Sequence, residues 1–276
     1  MGNVGKHPRE ENVTNMQRIF SVSTLAIITI AMFSSAADTQ SSNEAAKVAN
    51  TAIAQLAGWE NQKARKTLQA NKQEFGNTSE FKTAWALLEA HEGVESGKKS
   101  INPNINTMSK MAKSGGDVFL ASYWEGELLY LESKNDQALS AWKSASSQAE
   151  KAVKKDPNDA TAQFYLGASL VRQKKFDPAL KALRLAVRGG FDEAMVNHQI
   201  GFIYLFQQKW NDARKAFDLG LEVNPRFAPM YFWRAMAWDK LGKKDKYLLD
   251  LDRYVKLAPN GPEAAKARAV LTAMGG

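Results

Sequence analysis

The sequence predicts an all-α protein: a right-handed superhelical solenoid of antiparallel helix pairs, closed at its C-terminal end by a capping helix. Three observations predict it. Unrelated positions recur at one spacing. Gly167, Gly201 and Ala235 stand 34 residues apart, as do Ala179, Ala213 and Tyr247, then Leu183, Phe217 and Leu251, and finally Pro225 and Pro259. A fixed period of this length marks stacked supersecondary units. Within each unit the apolar residues fall three and four apart, the spacing of one buried helical face. Pro, Gly and Asn punctuate the joints between helices.

The first segment reads as an address rather than as part of the fold. Residues 1–15 are polar, Met16-Gln17-Arg18 is a short basic opening, and residues 19–33 carry no charge. Ser34-Ser35-Ala36-Ala37 then offers the small residues that a signal peptidase cuts beside. Cleavage after Ala36 or Ala37 is expected. The uncharged stretch is shorter than the ~20 residues of a spanning helix. The expected location is therefore exported, the periplasm first and the extracellular space second. An uncleaved anchor in the inner membrane is the alternative.

Residues 38–118 carry degenerate units. One from Ala45 places Ala52, Ala64 and Leu68 in register. One from Ser79 places Trp85 and Ala86, with His91-Glu92-Gly93 as its turn. Gly97 and Asn102-Pro103-Asn104 predict an irregular stretch over 96–106. Residues 119–259 carry the clear units. The unit from Phe119 has Gly126, Leu129, Ala138, Trp142 and Ala145. Gly126 precedes Gly167 by 41 residues, seven more than the period. Seven residues are about two helical turns, so its second helix is expected to run to Asp156-Pro157. In the unit from Ala160, Asp177 suits an N-cap and Pro178 a first helical turn. The unit from Ala194 turns through residues 207–211 and starts its second helix at Asp212. The unit from Ala228 ends at Pro259. Residues 260–276 supply the capping helix, which must cover the apolar end of the stack.

These residues resemble the tetratricopeptide repeat, a 34-residue helix–turn–helix with small residues where its two helices meet. Ile200, Gly201, Tyr204, Ala213, Phe217, Gly220 and Pro225 follow its pattern throughout. Leu166, Gly167, Leu170, Ala179, Leu183 and Ala186 follow it too, with Phe191 in place of the proline. Arg234, Tyr247 and Tyr254 depart from it in the next unit.

The resemblance implies a protein- or peptide-binding scaffold whose first helices line a concave groove. The groove residues it implies are Tyr123, Phe164, Val171, Arg172, His198, Phe202, Phe206, Phe232, Met236 and Lys240. That set is aromatic and aliphatic, which suits an extended peptide or an amphipathic helix. The chain's own N-terminal units filling the groove is the competing expectation. The Lys and Asn that chaperone-tail readers of the family carry are absent from the matching places, which hold Phe164, Ala168, His198 and Phe202.

Composition excludes several chemistries. The chain has no cysteine, so disulfides and thiolate chemistry are out. Three histidines, His7, His91 and His198, are too few and too scattered for an imidazole metal centre. Gly93-Val94-Glu95-Ser96-Gly97-Lys98-Lys99-Ser100 has three residues between its glycines where a phosphate loop needs four, and reads as a solvated loop. No catalytic triad, metal or cofactor is expected, and no nucleic acid. The net charge of +8 favours anionic partners. A membrane enters only if the signal segment is retained, as a tethered envelope scaffold. A small-ligand carrier or enzyme with a lid over 96–116 is the remaining alternative.

Overall fold

The computed structural model describes residues 61–96, 102–111, 118–261 and 263–275, with helical residues also at 44–45, 48–49, 51–52 and 55–56. The expected signal segment lies outside them. Among the described residues every regular element is helical. Twelve helices run in order: α1 (Asn61–Phe75), α2 (Ser79–Glu95), α3 (Asn102–Met111), α4 (Val118–Leu131), α5 (Asn135–Lys155), α6 (Ala160–Arg172), α7 (Phe176–Arg188), α8 (Glu193–Phe206), α9 (Trp210–Val223), α10 (Ala228–Lys240), α11 (Lys244–Leu257) and α12 (Ala264–Gly275). Each packs on the next. The first helices α4, α6 and α8 also touch in series, which builds one continuous face. Upstream, Ala45, Ala49, Ala52 and Leu56 are buried at helical spacing and join the same core.

Small residues set the distance between paired helices. A methyl on Gly201 of α8 would lie 2.4 Å from the Phe217 ring of α9, and one on Gly126 of α4 would lie 2.5 Å from the Trp142 indole of α5. Only glycine allows that approach. Each clear hairpin then turns in the same way. Ser133, Lys174, Gln208 and Gly242 take left-handed φ values of 59°, 60°, 58° and 69°. The following N–H reaches back over the turn, as from Lys175 to the Leu170 carbonyl at 2.9 Å and from Lys209 to the Tyr204 carbonyl at 2.8 Å. This is the C-terminal cap in which glycine is preferred. A residue with a Cβ is strained there by about 1–2 kcal/mol, against ~0.5–1 kcal/mol of extra chain freedom for glycine. Lys174→Gly and Gln208→Gly should each stabilise the fold by ~0.5–1 kcal/mol, read as a higher midpoint in urea.

Several boundaries differ from the sequence reading. The 96–106 stretch is not irregular throughout, because α3 begins at Asn102. Pro103 falls in its first turn, where a missing N–H costs nothing. The turn expected at His91-Glu92-Gly93 is absent. Helix α2 runs through it to Glu95 with His91 and Gly93 buried, so the loop expected over 93–100 begins as helix. Helix α7 starts at Phe176, with Lys175 rather than Asp177 at its N-cap. Helix α9 likewise starts at Trp210. The elongated α5 is as its spacing requires, 21 residues ending at Lys155. True side-chain caps occur at Asp159, which accepts from the Ala162 N–H at 2.9 Å, and at Asp192, which accepts from Met195 at 2.8 Å.

Candidate partner-binding face

The candidate residues lie on α4, α6, α8 and α10, and most of them are spent on the protein's own interior. Phe164 stacks on Phe191 with centroids 4.2 Å apart. Tyr123 meets Tyr165 edge-on at 5.5 Å. Phe202 is wedged against Trp233 at 5.1 Å and His198 at 4.2 Å, and Phe232 packs between Trp233 and Tyr254. Tyr123, Phe164, Val171, His198, Phe202 and Phe232 are buried. At the α8–α10 end the face is more open. Phe206 and Met236 are half-buried, and Lys240 is exposed with its ammonium 3.4 Å from the Asp239 carboxylate. Phe206 stacks on Phe176 of the neighbouring hairpin at 5.8 Å.

The electrostatics of the face are also internal. Arg172 donates from Nε and Nη2 to the two oxygens of Glu127 at 2.6 and 2.7 Å. The side chains are 5% and 0% exposed, so this is a fully desolvated, two-pronged pair joining α6 to α4. Burial pushes the Glu127 carboxyl above its ordinary range, and the guanidinium pulls against that shift. The Arg172 guanidinium also lies 5.6 Å over the Trp142 ring. Burial pushes His198 far below the usual imidazole range, and the Arg172 charge adds to the effect. Its two nitrogens have no hydrogen-bond partner among the described residues. The imidazole packs as a ring between Phe202 and Phe227, with centroids 4.2 and 5.2 Å away.

A second charged network escaped the sequence reading. Arg234 of α10 donates to both Asp250 oxygens of α11 at 2.8 and 2.7 Å, and to Asp218 of α9 at 2.7 Å. Arg214 also bonds Asp218. The signal was present: Arg234 occupies the place that holds Leu166 and Ile200 in earlier units, and Asp250 stands 16 residues beyond it. A cleft of about 450 Å³ lies between α3, α4 and α5, lined by Asn106, Ser109, Glu125, Lys134, Ser140 and Ser144 among others. Among the described residues no group of three acids or histidines is placed to hold a metal.

Hairpins stacked in register around a shared first-helix face define a helical-repeat protein. The tetratricopeptide repeat family model matches residues 142–193 and 201–262. Those residues carry tetratricopeptide repeats. The sequence matches none of the curated proteins. Among solved structures it is similar to the thermophilic tetratricopeptide repeat protein TTC0263 of Thermus thermophilus, at 16% identity and TM-score 0.50, covering 69% of this chain and 97% of that one. It is also similar to a chain of the APC/C hetero-tetramer Cut9-Hcn1, at 14% identity and TM-score 0.49, over 81% of this chain and 42% of that one. For MamA the values are 17% identity, TM-score 0.38, and coverage of 64% and 96%. At these identities the likeness concerns fold.

Proposed function

We propose that this protein is an exported, non-enzymatic scaffold that captures a protein or peptide partner at the open, α8–α10 end of its first-helix face. A scaffold for protein interactions is the class its repeats belong to. The observation that carries the finer reading is the change in exposure along the face. Phe206, Met236 and Lys240 offer an aromatic ring, a thioether and an ammonium to a partner, while the residues before them are packed. Such an edge suits a short apolar segment that carries an acidic group.

The test is photocrosslinking from position 206 in an envelope extract, followed by mass spectrometry, with a Phe206→Ala, Met236→Ala variant in parallel. The expected outcome is one crosslinked partner whose capture the double variant loses at unchanged helicity. Equal capture by the variant would reject the edge. Phe202 is unsuitable for this purpose. Its ring is fully buried, so Phe202→Ala should cost about 3–5 kcal/mol of stability and confuse binding with folding.

Export rests on the pattern in residues 16–37. N-terminal sequencing of the secreted chain should begin at Ala37 or Asp38. A chain starting upstream of residue 19 and held in the membrane fraction would make it a tethered scaffold instead.

A further inference from the structure

Exposed cations are distributed unevenly over the second helices. Lys181, Arg184 and Arg188 line one face of α7, with Leu180 and Leu185 half-buried among them. This face borders a depression of about 420 Å³, with Asp177 at its far end. One period later the equivalent places of α9 hold Lys215, Asp218 and Glu222, and those of α11 hold Leu249, Asp252 and Lys256. The repeat itself therefore does not demand cations there. The extra turns of α5 add Lys151, Lys154 and Lys155, all exposed or half-exposed, beside Glu150.

Backbone packing brings the C-terminal ends of the two helices together at one corner, where the chain continues into the exposed carboxylates Asp156 after α5 and Asp192 after α7. A methyl on Gly189, the residue after Arg188, would lie 2.7 Å from the Ala160 methyl and 3.2 Å from the Asn158 carbonyl oxygen. Asn158 follows Lys155 by three residues. None of the six cations joins an ion pair among the described residues. The helix dipole accounts for cations in a last turn, as at Lys154, Lys155 and Arg188. It does not account for Lys151, Lys181 and Arg184, a turn or more earlier.

We infer that this corner is a second docking site, built for an acidic segment of a partner protein. The leucines favour protein over lipid. They are recessed among the cations, placed to receive a side chain rather than to insert into a bilayer. Charge complementarity of this kind accelerates encounter and fixes register. The inference rests on the scaffold reading for the class of partner alone.

The experiment uses the exported chain and a fluorescein-labelled peptide of repeated Glu-Glu-Leu units, with fluorescence anisotropy at low salt. Two variants carry equal loss of charge. One replaces Lys154, Lys155, Arg184 and Arg188 by Gln, and the other replaces Lys209, Lys215, Lys243 and Lys244 by Gln. The corner variant should weaken binding about tenfold, and the control less than about twofold, with binding falling as salt rises. Equal weakening would reduce the effect to net charge and overturn the site. Absence of peptide binding would overturn it too. So would sedimentation with phosphatidylglycerol vesicles that depends on the corner while the peptide fails to bind, since the corner would then read a membrane. The Phe206→Ala, Met236→Ala variant should keep full peptide affinity, so failure at either site is seen separately.

Discussion

Arg172→Met will destabilise the fold by about 3–5 kcal/mol, the cost of leaving a buried charge without its partner. Glu127 is wholly enclosed and loses both of its charge-assisted hydrogen bonds. In a chain of this size the melting midpoint should drop by roughly 10 °C. The diagnostic is the double variant. Glu127→Leu with Arg172→Met removes both charges and replaces them with apolar volume, which is often neutral or favourable for a buried pair. It should recover most of the loss. A double variant as unstable as the single one would mean that the guanidinium stabilises the fold by holding α6 on Trp142 of α5 rather than by pairing with Glu127 of α4.

Acid will unfold the protein partly through two histidines. Burial holds His91 down to about 3 in the folded chain, against 6.5 when exposed, and His198 is shifted the same way. The unfolded chain therefore binds more protons below pH 6.5, and each histidine removes stability as pH falls, by about 1.4 kcal/mol per pH unit. For His91 the loss ends near pH 3. Glu263 works in the opposite sense. Burial raises it to about 7 from 4.5, so its contribution grows as pH falls from 7 to 4.5. The raised Glu127 and Asp250 oppose the histidines as well. The clean readout is a difference between proteins. The stability gap between His198→Phe and the parent should change by about 1.4 kcal/mol per pH unit between roughly pH 6 and 4.5, in favour of the variant. A gap independent of pH would show that His198 can be protonated in the folded chain.

The hairpins were legible because each rests on a local, repeated requirement. Gly201 and Phe217 are 16 residues apart, so one period exposes both the close approach and the ring that enforces it. The elongated α5 was legible from a single count, 41 instead of 34. What failed locally was punctuation. Asn102-Pro103 resembles a loop, yet proline fits a first helical turn. His91-Glu92-Gly93 resembles a turn, yet burial of one helical face carried α2 through it.

The candidate face was less legible. Repeat register places Tyr123, Phe164 and Phe202 on it but says nothing of whether solvent or side chains lie opposite. Glu127 and Arg172 are 45 residues apart with an irregular spacing between them, so no period brings them together. Arg234 was visible as a departure from the pattern, but its two carboxylates come from flanking helices and only packing reveals both.

A chain without cysteine invites the most direct measurement, the rate at which single introduced thiols react with a maleimide in the folded protein. Ala168→Cys, Met236→Cys and Lys181→Cys report the packed part of the face, its open end and the exposed face of α7. Residue 168 is fully buried, 236 half-buried and 181 exposed. The expected order is Lys181→Cys fastest, Met236→Cys slower, and Ala168→Cys protected until the chain unfolds. Labelling of Ala168→Cys as fast as that of Lys181→Cys would mean that the first-helix face is open along its length, which contradicts a groove packed by its own side chains.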